Sequence, residues 1–279
     1  MEEFLKQLEC AVLKTRKRII GGFSGNYKSK LLGNSYDFYG ARIYEQGDDI
    51  RKIDWKAYAR TEKIYIKQFT EQKQLNVNIL LDCSSSMGFG TPNKWESAKM
   101  YALGLSYITL KESNKLNLYC FNNKVEEKFK GFMGRKMFHE VVKIIENIKN
   151  EGNTDFKNIN SNIKSLGGIT FIISDLLSND IENLLNITSQ IGSQVVVIHI
   201  MSRQEIDPDY YDELKLIDKE TGKEKRINFD KRAKQIYKSK VNNYIDNCKK
   251  QCEKRDIKYV FASSNTSHVE IILKAIEVG

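Results

Sequence analysis

Asp82, Ser84 and Ser86 stand at alternate positions in Asp82-Cys83-Ser84-Ser85-Ser86, which follows directly on the apolar run Val77-Asn78-Ile79-Leu80-Leu81. One carboxylate and two hydroxyls on the turn that ends a buried strand present three hard oxygens to one point. Mg²⁺ takes such ligands in a near-octahedral shell and keeps some of its water. The same residue types serve as turn formers and N-caps at any strand-to-helix junction, so the run alone leaves both readings open. Two later segments extend the pattern. Gly152-Asn153-Thr154-Asp155 places a third hydroxyl, Thr154, in a polar loop, and Phe171-Ile172-Ile173-Ser174-Asp175 is a second buried-strand pattern ending in a carboxylate. Because Asp82, Ser84, Ser86, Thr154 and Asp175 are all oxygen donors, Mg²⁺ or Mn²⁺ is expected and Zn²⁺ gains no thiolate or imidazole. Cys83 is expected to point away from the ion. His139, His199 and His268 lie outside the three segments, so a hydrolytic use of the metal would have only a carboxylate as general base.

The elements that must position these residues read as α/β. Leu75 to Leu81, Leu116 to Phe121, Ile169 to Ile173, Val195 to Ile200 and Tyr259 to Ala262 are short β-branched or aromatic runs suited to buried parallel strands. Between them lie helical periods, Trp95, Ala98, Ala102, Leu105 and Thr109, then Phe138, Val141, Ile145 and Ile148, and later Tyr237, Val241, Tyr244 and Cys248. This alternation predicts a doubly wound, mostly parallel sheet with helices on both faces. Asn122-Asn123 separates Leu116 to Phe121 from Val125 to Phe129, which predicts a tight hairpin and one antiparallel edge strand. A second hairpin is expected from Glu213 to Asp218 and Arg226 to Phe229 around a glycine turn. In such sheets ligands bind beyond the carboxyl ends of the strands at the switch point, where Asp82 and Asp175 would sit.

Composition narrows the function classes. The 279 residues suffice for one large core with an extension. Five cysteines, an odd number, form no disulfide framework and suit a reducing cytoplasm; Cys248 and Cys252 are spaced to share a helix face as core thiols. The acidic start Met1-Glu2-Glu3-Phe4-Leu5-Lys6 is not a secretory leader. The uncharged stretch Asn183 to Ser202 contains Asn186, Gln190, Gly192 and Gln194, so it reads as a helix followed by a strand and not as a membrane span. The net charge of +9 raises the question of nucleic acid, but the lysines mingle with 36 acidic residues and are not interleaved with stacking aromatics. A solvated basic surface is the better account.

Before residue 75 the alternation lapses. An amphipathic helix with Leu5, Leu8, Val12 and Ile19 on one face comes first, then glycine-marked segments, then Arg42-Ile43-Tyr44-Glu45-Gln46-Gly47-Asp48-Asp49-Ile50-Arg51-Lys52-Ile53-Asp54-Trp55-Lys56-Ala57-Tyr58-Ala59-Arg60. The sequence holds neither a Gly-x-Ser-x-Gly elbow in this region nor a phosphate-binding Gly-x-x-x-x-Gly-Lys-Ser/Thr loop anywhere. Arg42, Arg51 and Arg60 can form bidentate pairs with Asp48, Asp49 or Asp54, with Trp55 as a cover. As a buried clamp, this network would lose about 3 to 5 kcal/mol on Asp54→Ala. The other reading is a recognition surface.

The order Asp-x-Ser-x-Ser, then Thr, then strand-Asp resembles the metal-ion-dependent adhesion site of von Willebrand factor type A domains, whose fold also carries a short antiparallel strand. The Arg42 to Arg60 segment, continued by Ile64-Tyr65-Ile66-Lys67-Gln68-Phe69, resembles the signature of the bacterial family known as domain of unknown function 58. Together these imply an N-terminal extension over 1–72 and a von Willebrand factor type A-like α/β domain over 73–279. They imply that a partner's carboxylate completes the metal shell and that the second aspartate acts through water. Members of the family often carry membrane-spanning helices ahead of the signature, so a chain without them is expected to be cytoplasmic. The resemblance further implies a MoxR-type AAA+ ATPase as partner, with an unknown client protein. The expected function is a Mg²⁺-dependent protein-interaction module and not an enzyme. A Mg²⁺-dependent phosphoester hydrolase and a nucleic-acid binder are the alternatives.

Overall fold

The computed structural model describes residues 1–12, 32–70, 74–122, 124–153, 166–177, 181–189, 193–210, 212–217 and 224–277. The chain forms two compact units, Met1–Gly22 with Leu75–Gly279, and Phe23–Gln74. The opening helix therefore groups with the larger unit, where the sequence placed it in an extension over 1–72.

The first elements are helix α1 over residues 2–12, strand β1 (Leu32–Ile43), helix α2 (Trp55–Thr61) and strand β2 (Tyr65–Thr70). There follow β3 (Asn76–Asp82), α3 (Lys94–Lys111), β4 (Lys115–Phe121), β5 (Val125–Phe132) and α4 (Phe138–Asn147). The remainder is β6 (Gly168–Ser174), α5 (Ile181–Ser189), β7 (Ser193–Met201), α6 (Arg203–Ile206), the β8 (Asp212–Ile217) and β9 (Glu224–Phe229) hairpin, α7 (Lys231–Glu253), β10 (Lys258–Ser263) and α8 (His268–Ile276).

The larger unit is built on a six-stranded sheet in the order β10-β7-β6-β3-β4-β5. Every pair is parallel except β4 with β5, so the antiparallel edge strand lies where the sequence put it. This is the von Willebrand factor type A-like architecture expected. The inner strands are apolar on both faces because both faces are covered. Register partners Leu80, Ile172 and Val197 join Leu184 and Leu185 of α5 and the thiols Cys248 and Cys252 of α7 in one buried cluster. On the other face α3 packs on β3 and β6 and is in turn flanked by α4 and α8. Gly104 of α3 allows this crowding, since a Cβ there would come 2.4 Å from Ile272 Cδ1 and 3.3 Å from Leu8 Cδ2 of α1. α1 is also tied to α3 by Glu9, which accepts from the Tyr107 hydroxyl and from Lys111 Nζ at 2.9 Å.

The topology creates a switch point. β3 runs through α3 to β4 on one side, whereas β6, reached only after β5 and α4, pairs with the other side of β3. Connections diverge between the carboxyl ends of β3 and β6, the position where ligands bind in open sheets of this kind.

The smaller unit is a β1–β2 antiparallel pair with irregular register near Asp37 and Gly40, and α2 lies between its strands in sequence. Ile53 bridges Ile66, and both are buried. Among the described residues no helix is long and apolar enough to cross a membrane.

Candidate metal centre

Asp82 is the last residue of β3, and the backbone then turns through Cys83 and Ser84 into a short 3-10 turn over Ser85–Gly88. Asp82 is fully buried. Its Oδ1 accepts from Ser84 N at 3.0 Å and its Oδ2 from Ser174 Oγ at 2.6 Å, so the turn and the neighbouring strand aim the carboxylate. Ser84 Oγ and Ser86 Oγ lie 3.0 Å apart, and the Ser84 side chain also hydrogen-bonds the Asp82 carboxylate. The loop is held from below, with Ser85 N donating to Gly152 O and Glu151 N to Cys83 O, each at 2.8 Å. Cys83 does point elsewhere. Its thiol donates to Phe121 O and lines a cavity of about 500 Å³ with Cys120, Lys124, Lys128 and Lys149.

Asp175 follows β6 and is buried. Its Oδ1 accepts from Leu177 N at 3.1 Å, and its Oδ2 receives Lys94 Nζ at 2.8 Å. The same ammonium donates to Glu205 Oε1 at 2.6 Å. Lys94 is 0% exposed. Burial works against its charge, but Asp175 and Glu205 outweigh it and the lysine pKa is raised. Burial, and then the negative charge of Asp175, push Asp82 up to about 7. Glu205 is fixed by a capping box on α6, its Oε2 accepting from Ser202 N at 2.7 Å and its own N–H donating to Ser202 Oγ.

Lys94 and Glu205 were absent from the sequence reading. The signal for Lys94 was a violation of local preference, since a cation at the first position of a helix opposes the helix dipole. Glu205 was marked by Ser202-Arg203-Gln204-Glu205, a capping-box pattern at a strand end. His199, thought remote, is placed nearby because the register sets it opposite Ser174. Its Nδ1 contacts the Tyr259 hydroxyl at 2.6 Å, and burial, only partly offset by Asp175, lowers its pKa to about 4.

The donor set fits a small hard cation. Asp82, Ser84 and Ser86 converge, and the mutual repulsion of Asp82 and Asp175 is what a divalent ion would relieve. Asp175 Oδ2 is held by the Lys94 ammonium, whereas the partners of Asp82 are a neutral hydroxyl and a backbone N–H, and a charged partner on Asp175 suits contact through water. Among the described residues no group of three or more His, Cys, Asp or Glu side chains is placed to hold a metal. Thr154 lies outside the described residues.

The signature residues belong to the smaller unit, and the buried clamp is not what they form. Arg42 Nη2 pairs with Asp48 Oδ1 at 2.5 Å, partly buried, while Asp48 Oδ2 accepts from Glu45 N. Arg51 pairs with Asp49 at 3.0 Å, but its side chain is 87% exposed. Asp54 does not meet Arg51; it caps α2, accepting from Lys56 N and Ala57 N at 3.1 Å. Trp55 is 63% exposed and rests edge-on against Tyr58, while Arg60 donates to Lys56 O. Asp48 and Asp49 each serve an arginine of the segment together with a backbone N–H of their own turn, whereas Asp54 serves two N–H groups of the helix it caps.

The model of the family described as "Protein of unknown function DUF58" matches residues 40–245. An uncharacterized protein of Mycobacterium tuberculosis, Rv1480, is 25% identical over 143 residues, which are 50% of this chain and 44% of that protein. The chain thus spans less than half the length of that relative. Among solved structures, an aerotolerance-related membrane protein from Bacteroides fragilis aligns at 16% identity with a TM-score of 0.45, covering 72% of this chain and 98% of that one. BatB from Bacteroides thetaiotaomicron aligns at 14% and 0.42, covering 72% and 96%. The SpRpn10 VWA domain aligns at 13% and 0.39, covering 71% and 94%.

Proposed function

The chain belongs to the DUF58 family, and from there we propose that it is a divalent-metal-dependent protein-interaction module. The observation that carries the reading is the convergence of Asp82, Ser84 and Ser86 at the switch point of the sheet. Asp82, Ser84 and Ser86 would hold Mg²⁺ or Mn²⁺, with Thr154 as a further hydroxyl and Asp175 acting through water. When bound, the ion supplies a position that a partner's carboxylate can complete. The chain's own groups orient that site: Ser174 and the Ser84 N–H fix the Asp82 carboxylate, and Lys94 holds Asp175. The partner proposed is a MoxR-type AAA+ ATPase, with the module passing its action to a client protein in the cytoplasm.

We assign the module no catalytic step. His199 is 0% exposed, which speaks against proton exchange with a phosphoester arriving from solvent. The test is calorimetric titration of Mg²⁺ and Mn²⁺ into the protein and into Asp82→Asn, followed by titration of the ATPase with and without chelator. The expected result is metal binding lost in the variant and ATPase binding lost on chelation. Equal metal affinity in both proteins would sink the assignment, and Asp82-dependent phosphoester hydrolysis without metal-dependent ATPase binding would favour the hydrolase.

A further inference from the structure

Lysine is almost never fully buried unless paired. Lys94 is buried with two partners, at a helix start that repels cations, beside the carboxylates of a metal site. Nothing in local folding requires it there. The Asn93 side chain already caps α3 through Trp95 N at 2.8 Å, so the lysine head is not needed to begin the helix. A residue that violates a local rule under tight packing is kept for what it does to its neighbours.

We propose that Lys94 is a resident cation of the metal centre, holding Asp175 out of direct coordination and thereby setting how weakly the divalent ion is bound. The inference rests on the metal reading above. The ammonium takes Asp175 Oδ2, the oxygen that would otherwise be free for the ion. It also engages Glu205, so the charge of Asp175 is shared with the turn after β7. With the three carboxylates of Asp82, Asp175 and Glu205 ionised against one ammonium, the cluster carries two excess negative charges, matched by one divalent ion. Such an ion has a single protein carboxylate in its direct shell and keeps a strong demand for another anion, which a partner's Glu or Asp can meet. Lys94 is thus a positioning residue that trades metal affinity for avidity toward an external carboxylate.

The experiment is calorimetric titration of Mg²⁺ and of Mn²⁺ into the full chain and into Lys94→Met, Lys94→Arg and Glu205→Gln, each checked for folding by circular dichroism. Removing a charge this close to a buried ion should tighten binding by tenfold or more in Lys94→Met. Lys94→Arg, which keeps the charge, should stay within about threefold of the parent. Glu205→Gln retains an acceptor for Ser202 N but leaves the ammonium to Asp175 alone, so binding should weaken severalfold. A gain of affinity is a result that mere structural damage does not produce. Unchanged or weaker binding in Lys94→Met, with the parent binding metal, overturns the inference and leaves the metal reading standing. If only Lys94→Met binds, the resident cation is supported and the metal reading of the native chain fails. If neither binds, both fail. Should Lys94→Met not fold, Glu205→Gln decides, and unchanged affinity there overturns the proposal.

Discussion

Asn78, in the middle of β3, ties together the strands that carry the metal site, and its replacement by leucine should weaken the fold without touching the metal. Its Nδ2 lies 3.1 Å from Gly167 O, 3.2 Å from Thr170 Oγ1 and 3.3 Å from both Leu166 O and Ile169 O, which share its two protons. Its Oδ1 accepts from Asn117 Nδ2 at 2.7 Å, and Asn117 Oδ1 in turn accepts from Gly131 N at 2.8 Å. Leucine has the same branched skeleton with bulkier methyl groups, so no cavity arises, but about two donated bonds of ~1 kcal/mol each are lost and the buried Asn117 amide is stranded at ~1 to 3 kcal/mol. Leucine's own burial returns ~1 kcal/mol or more. The net expectation is destabilisation by about 2 to 4 kcal/mol, read as a lower urea midpoint at unchanged slope. Asn78→Leu combined with Asn117→Leu should cost less than the sum of the singles, because neither amide is then left without the other. Metal affinity by calorimetry should match the parent. An unchanged midpoint, or strictly additive singles, would refute the account of a coupled buried network.

In the smaller unit, Asp54→Ala should cost only about 1 kcal/mol, the worth of an N-cap, and not the 3 to 5 kcal/mol of a broken buried pair; a larger shift of the denaturation midpoint would revive the clamp. Gly90→Ala should destabilise by about 2 kcal/mol or more, since φ is +101° and the new Cβ would lie 2.3 Å from Ser202 Cβ; the same unfolding assay reads it, and a neutral result would contradict the close packing of this turn. Ser84→Ala and Ser86→Ala should each weaken Mg²⁺ binding while the far-ultraviolet circular dichroism stays unchanged, and retained affinity in both would remove the hydroxyls from the ligand set.

The strands were legible because their faces are both covered, so Val77 to Leu81, Ile169 to Ile173 and Val195 to Ile200 are mostly apolar runs, each interrupted by one polar residue, Asn78, Thr170 and His199. The edge strand was legible for a different reason, as Asn122 closes a short connection by accepting Lys124 N on its own side chain. β1 escaped notice because Leu32–Ile43 mixes Gly, Asn and Asp with aromatics and pairs through two register shifts, which destroy the alternation that marks a strand. At the site, Asp82, Ser84 and Ser86 are neighbours in sequence and could be read together. Lys94 could not, since its partners Asp175 and Glu205 lie 81 and 111 residues away and only the sheet order unites them. The signature was legible in part. Arg42 pairs with Asp48 and Arg51 with Asp49, as the residue types allow, whereas Asp54 is taken by the helix it caps and Arg60 donates to Lys56 O.

The two tryptophans of the chain fall in different units and in opposite surroundings. Trp95, next to Lys94 in α3, is 5% exposed, whereas Trp55, at the start of α2, is 63% exposed. Their fluorescence should therefore separate by colour and by quenching: iodide extinguishes the red-shifted emission of Trp55 and leaves the blue emission of Trp95. The native chain carries its own pair of optical probes, one reporting the signature unit and the other the neighbourhood of Lys94, so binding at either can be followed in one cuvette without a label.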